Sequence, residues 1–119
     1  MKRTLLTACV VLIVVFPVWA QSRAGDRPLF TVGNVKASRG MTATGAIEVP
    51  AGSDAALSIP IAVAHGAEAG PVLALLAGAH GTEYASIIAL EKLIAKIDAK
   101  QLSGTVIILP LVNVPSFQK

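Results

Sequence analysis

The segment from Gly70 to Pro115 most constrains the fold. Pro71 to Gly78 reads PVLALLAG, a continuous apolar run of strand length with Gly-Pro before it and glycine at its end. Such a run suits a strand buried on both faces of a parallel sheet, although periodicity alone does not separate it from buried helix. The next stretch, TEYASIIALEKLIAKIDAK, has a different rhythm. Tyr84, Ile87, Ile88, Leu90, Ile94 and Ile97 recur at helical spacing, while Glu91, Lys92, Lys96 and Lys100 take the solvent face. Thr82 or Gly81 can start this helix, Glu83 falls in its first turn, and the lysines gather towards the end that the helix dipole makes negative. After Gly104, TVIILPLVNVP reads as a second strand that ends in Asn113 and Pro115. Strand, helix and strand at this spacing predict a βαβ unit with a right-handed crossover, and so an α/β fold.

The residues before this unit read differently. Gln21 to Pro28 is polar and contains glycine, as a flexible lead-in would. From Leu29 to Pro60 the apolar runs are short and broken by turns, with strands expected around Ile47–Val49 and Leu57–Val63. Threonine and valine around TVGNV and MTATG fit an extended ribbon that supplies an antiparallel edge. The chain therefore divides into a leader (1–20), a lead-in with the first short strands (21–43), and a remainder (44–119) that holds the βαβ unit.

The leader has three parts. Lys2 and Arg3 are basic, Leu5 to Phe16 is almost wholly apolar, and Val18-Trp19-Ala20 ends on a small residue. That is the layout of a secretory signal peptide with cleavage expected after Ala20, and its apolar core is shorter than the roughly 20 residues of a membrane span. An exported chain, periplasmic or secreted, is expected; the alternative is a chain anchored to the membrane by an uncleaved leader. The single cysteine, Cys9, lies in the leader, so a disulfide-stapled domain is excluded. The whole chain has ten basic and seven acidic residues. Without Lys2 and Arg3, eight basic residues face seven acidic ones, a net charge of about +1. With no basic patch, nucleic acid is not an expected partner.

The pattern His-Gly-x-Glu occurs twice, at His65–Glu68 and at His80–Glu83. The first copy falls between two strands and precedes Ala-Gly-Pro, where no helix begins; it reads as a solvated turn. The second falls at the carboxyl end of the apolar strand and at the start of the helix, the end of an open α/β sheet where ligands bind. Gly81 leaves room for close approach, so both side chains can point into one crevice. Imidazole and carboxylate are suitable zinc ligands, and a catalytic zinc keeps three protein ligands and an open position. Zinc so held polarises carbonyls and activates water for amide or ester hydrolysis. The residues alone leave a second reading open, an acid at a helix start beside an incidental histidine.

Gly70 to Tyr84 (GPVLALLAGAHGTEY), with Ile59-Pro60-Ile61 before it and the Leu90…Leu93 helix, Val106-Ile107-Ile108-Leu109-Pro110 and Asn113-Val114-Pro115 after it, resembles the start of the succinylglutamate desuccinylase/aspartoacylase family. The resemblance covers residues 44–119. It implies a zinc-carboxypeptidase-like mixed sheet with flanking helices, preceded by short antiparallel strands. It also implies one zinc ion with His80 and Glu83 as its first two ligands, and Asn113 near the mouth of the site in contact with substrate. In that family an Asp-x-x-Asn-Leu-Asn-Arg stretch, a third histidine ligand and a general-base glutamate come later than these residues, and none occurs within 84–119. The chain is accordingly read as the amino-terminal part of a longer enzyme, inactive by itself, with its general base beyond Lys119.

The leading expectation is a zinc-dependent hydrolase that removes an acyl group from an amino acid or a similar small amide. A zinc carboxypeptidase acting on peptides is the alternative within the same fold, and a metal-free exported binding or structural domain is the alternative outside it. A short parallel unit with an open edge hides little surface. The isolated 21–119 piece is therefore expected to aggregate or to unfold with poor cooperativity; a sharp, reversible thermal transition would count against the fragment reading.

Overall fold

Which strand becomes central is decided by where apolar residues occupy both faces. The computed structural model describes residues 27–119, so the expected signal peptide lies outside the described residues. In order come β1 (Leu29–Val32), β2 (Val35–Ser38), β3 (Met41–Val49), β4 (Leu57–His65), β5 (Glu68–Leu76), α1 (Tyr84–Lys96), a 3-10 turn (Ala99–Gln101), β6 (Ser103–Leu109) and α2 (Val114–Phe117). β1 and β2 form an antiparallel hairpin, and the other strands form one mixed sheet in the order β3-β4-β6-β5. β6 pairs antiparallel with β4 and parallel with β5, so β5-α1-β6 is the expected parallel βαβ unit in a mixed α/β fold.

β4 is central, and Ile61 to His65 are all buried. Alternation sends Ile61, Val63 and His65 to one face and Ala62 and Ala64 to the other. On the first face Phe30, Val35 and Ala37 of the hairpin pack against Ile61 and Val63, with Ile47, Ile107 and Leu109 at the margin. The Phe30 ring lies 5.7 Å from the His65 ring.

The expectation that PVLALLAG is buried on both faces is not met. β5 is the edge of the sheet among the described residues, and Leu73 and Leu76 are 53% and 61% exposed. An apolar run signals strand, but what covers the strand is set by residues elsewhere. α1 is also shorter than its apolar pattern. Glu83 occupies the N-cap rather than the first turn, and Ile97 and Lys100 fall beyond the end. Only Ile87 is buried on α1, while Tyr84 and Ile88 remain exposed.

The link from β4 to β5 is two residues, Gly66 and Ala67, and it wraps the start of β6. Gly66 N donates to Gly104 O, Ala67 N to Ala99 O and Glu68 N to Leu102 O. A Cβ on Gly66 would lie 2.2 Å from Leu102 O, so no larger residue fits. Directly opposite, Glu68 pairs with Ser103 and Val72 with Thr105, which leaves Ala69 to Pro71 looped out of the ladder. Pro71 sits in that bulge, where its missing N–H breaks no ladder bond. Gly104 meets the bulge with φ +92°, and a Cβ there would lie 2.1 Å from Pro71 O.

Gly104→Ala is therefore expected to lower unfolding free energy by about 2 kcal/mol or more, since it combines a positive φ with a backbone clash. Gly52 has no heavy atom within 4 Å of an added Cβ. Gly52→Ala should stay within about 0.5 kcal/mol of the parent. Urea midpoints at constant m-value check both, and equal midpoints for the two variants would refute the assignment.

Candidate metal centre

At the end of β5 the chain leaves the sheet through Ala77 to Ala79 and turns sharply into α1. Ala77 N donates to Leu109 O, Val112 N to Ala77 O and Asn113 N to Gly78 O, so pairing with the exit of β6 continues past the strand ends. His80 and Glu83 sit on the turn that follows. His80 Nδ1 lies 2.8 Å from Glu83 Oε1, and the His80 amide donates to Glu83 Oε2 at 3.4 Å. Since a carboxylate only accepts, Nδ1 carries the proton that the two side chains share. The pair is open to solvent, with the His80 and Glu83 side chains 81% and 41% exposed. The hydrogen bond from the His80 ring, and after it the one from the His80 amide, hold the Glu83 carboxyl below its ordinary range.

The first copy of the pattern is built for another purpose. His65 ends β4 and is fully buried, not part of a solvated turn. Its Nε2 lies 2.6 Å from Arg27 O and its Nδ1 2.8 Å from Thr105 Oγ1. A carbonyl only accepts, so Nε2 donates and, in the neutral ring, Nδ1 accepts from the Thr105 hydroxyl. Glu68 opens β5 and points to solvent. The histidine instead ties the described amino terminus and β6 to the central strand.

Asn113 is committed to the backbone around His80. Its Nδ2 donates to Ala79 O at 3.0 Å, and its Oδ1 accepts from Ser116 N at 3.1 Å, which caps α2. Ser116 Oγ in turn accepts from Gly81 N at 3.1 Å. A Cβ on Gly81 would lie 2.2 Å from Phe117 N, so this glycine admits α2. The Tyr84 and Phe117 rings meet edge to face at 5.9 Å and fasten α2 to the start of α1. α2 and Ser116 were not anticipated from the sequence. The signal was present, however: an asparagine cap, with proline two residues on, is a helix start.

The donors fit a metal ion in type and direction. Nδ1 and Oε1 already converge on one point, occupied by a shared proton that a cation can replace. Among the described residues no cluster of three or more His, Cys, Asp or Glu side chains is placed to hold a metal. Beside Glu83 lies a cavity of about 390 Å³, walled by Leu76, Ala77, Ala79 and Val112, with Ser86 at its rim.

Residues 69–119 match the family model of the succinylglutamate desuccinylase/aspartoacylase catalytic domain. The chain is 38% identical over 76 residues to the N-alpha-acetyl-L-2,4-diaminobutyric acid deacetylase of Halomonas elongata, an alignment covering 60% of this chain and 22% of that protein. It is similar to the crystal structure of a succinylglutamate desuccinylase/aspartoacylase from Rhodobacter sphaeroides, at 33% identity and a TM-score of 0.58, over 65% of this chain and 25% of the other. The product-bound ectoine utilization protein EutE (DoeB) from Ruegeria pomeroyi aligns at 30% identity and a TM-score of 0.60, over 76% and 28%. The chain thus spans about a quarter of the length of these relatives.

The two copies should respond oppositely to mutation. His65→Ala leaves the Thr105 hydroxyl and a backbone carbonyl without their partner and should cost about 2–4 kcal/mol of stability. His80→Ala should leave stability within about 0.5 kcal/mol. It should instead raise the Glu83 titration midpoint, followed by carboxyl NMR shifts, back towards the ordinary carboxylate range. Because the folded value is depressed, the stabilisation from the pair is present above that range and fades as pH falls through the lower folded value. An unchanged Glu83 midpoint in His80→Ala would contradict the hydrogen-bonded pair.

Proposed function

We propose that the chain, whose residues 69–119 match the catalytic-domain model of the succinylglutamate desuccinylase/aspartoacylase family, carries the amino-terminal part of a zinc-dependent deacylase acting on an N-acyl amino acid or similar small amide. The observation that carries this reading is the meeting of His80 Nδ1 and Glu83 Oε1 at 2.8 Å, at the carboxyl end of a parallel strand. His80 and Glu83 would hold one zinc ion. When bound, zinc polarises an amide carbonyl and lowers the pKa of water.

The chain's own residues set the conditions for that chemistry. Glu83 stays ionised to well below neutral pH, and so offers a full negative charge to a cation. A cation taking the place of the Nδ1 proton would leave the neutral imidazole protonated at Nε2 instead, so uptake would switch the His80 tautomer with no net loss of a proton. The exposure of both side chains leaves the pair accessible to a small substrate from solvent. The wall of Leu76, Ala77 and Val112 beside Glu83 offers an apolar flank to an uncharged part of that substrate. Asn113 stands at the margin of the same site, and contact between it and substrate remains part of the proposal. The name of the Halomonas elongata relative, a deacetylase of an acetylated amino acid, supports deacylation over peptide cleavage. With two donors and no further metal-binding cluster among the described residues, turnover is not expected from these 119 residues alone. Export to the periplasm or medium is part of the same proposal.

Titrating zinc into the full chain tests the proposal. One ion is expected to bind, and the His80 ring resonances are expected to shift as the Nδ1–H tautomer gives way to the Nε2–H one. His80→Ala and Glu83→Ala should each abolish stoichiometric uptake. Unchanged metal content in both variants would sink the reading.

A further inference from the structure

We propose that α2 acts as a clamp that positions His80, with Asn113 and Ser116 as positioning residues for this metal ligand; the inference rests on the zinc reading above. The geometry is two-sided. Asn113 Nδ2 holds the carbonyl of Ala79, the residue before His80, at 3.0 Å. Ser116 Oγ holds the amide of Gly81, the residue after it, at 3.1 Å. The two holders are joined to each other, since Asn113 Oδ1 accepts from Ser116 N at 3.1 Å. His80 therefore lies on a peptide segment gripped at both neighbours, while among the described residues its own side chain hydrogen-bonds with Glu83.

The packing supports the grip. Gly81 is pressed against the Ser116–Phe117 peptide so closely that no Cβ fits, and the Phe117 ring closes on Tyr84 at the start of α1. α2 is one turn long and buries no side chain of its own. Its placement is thus not explained by core packing, whereas Asn113 Nδ2 and Ser116 Oγ are both spent on the residues flanking His80. An exposed ligand on a turn would otherwise sample many directions. Fixing its backbone removes that freedom before metal arrives, which is how groups behind the ligands raise affinity.

The decisive variant is Asn113→Asp. Aspartate caps a helix as well as asparagine does, so α2 is kept, but a carboxylate has no proton to donate to Ala79 O. Zinc affinity of the full chain is expected to fall about 10–100-fold while the urea midpoint holds. The added negative charge favours cations, so charge cannot produce that fall. Ser116→Ala should weaken zinc binding and, in the metal-free protein, speed hydrogen exchange at the Gly81 amide; Ser116→Thr should restore both. The His80 ring resonances of the metal-free protein should move in Asn113→Asp and Ser116→Ala. The clamp is overturned if both variants change only the urea midpoint and leave affinity, ring resonances and Gly81 exchange at parental values. Should the parent take up no zinc, the metal reading fails by itself. The clamp then stands or falls on the metal-free resonances and exchange.

Discussion

β6 is the strand on which the rest of the molecule depends. It pairs on both sides, antiparallel to the buried β4 and parallel to β5. Parallel neighbours require a crossover, so α1 must leave one end of the sheet and return to the other. The pairing does not stop where the strands do. Leu109 O, Val112 N and Asn113 N continue it along Ala77 and Gly78, up to the residues that launch the His80 turn. Each such hydrogen bond contributes only about 1 kcal/mol net, but leaving a buried one unmade costs more, so the series is held as a unit. The direction in which the turn leaves the sheet is inherited from β6.

Much of this was legible in the sequence, and the illegible parts share a cause. The β5-α1-β6 unit shows itself because an unbroken apolar run, an amphipathic stretch and a second apolar run are local patterns. The His80–Glu83 pair shows itself for the same reason, since four consecutive residues build it. The burial of His65 depends on partners far away in the chain, Arg27 and Thr105, and on β4 becoming central. No window around His65 contains that information. The exposure of Leu73 and Leu76 is likewise a property of what flanks β5. α2 escaped because one turn of helix has no periodicity to detect, although its cap residue was in plain view as Asn113.

The two His-Gly-x-Glu stretches show how little a short pattern means without its surroundings. In both, glycine follows histidine because backbone comes within contact distance: the β6 lead-in at Gly66, the α2 peptide at Gly81. The histidines then diverge. His65 satisfies one donor and one acceptor in the interior, where an unpaired polar atom is expensive, and has nothing left to offer. His80 faces water, and among the described residues its ring pairs with the Glu83 carboxylate, a bond that a cation would take over in the proposed site. Burial separates a brace from a side chain left open to the ion of the proposed site.

The bulge at Ala69–Pro71 has a consequence for the far end of the same strand. Beyond it, β5 runs in unbroken register from Val72 opposite Thr105 to Leu76 opposite Leu109. Gly104, fitted against Pro71, pins one end of that run, and the Asn113–Ala79 bond pins the other. Between these two pegs β5 is held like a string at fixed pitch, because sliding by a single residue would turn every side chain to the opposite face. A slipped chain would still bring His80 near Glu83, since that pair needs only its own turn, yet the grip behind it would close on the wrong peptide. The record of how the strands were aligned therefore lies in the grip behind His80 rather than in the pair itself.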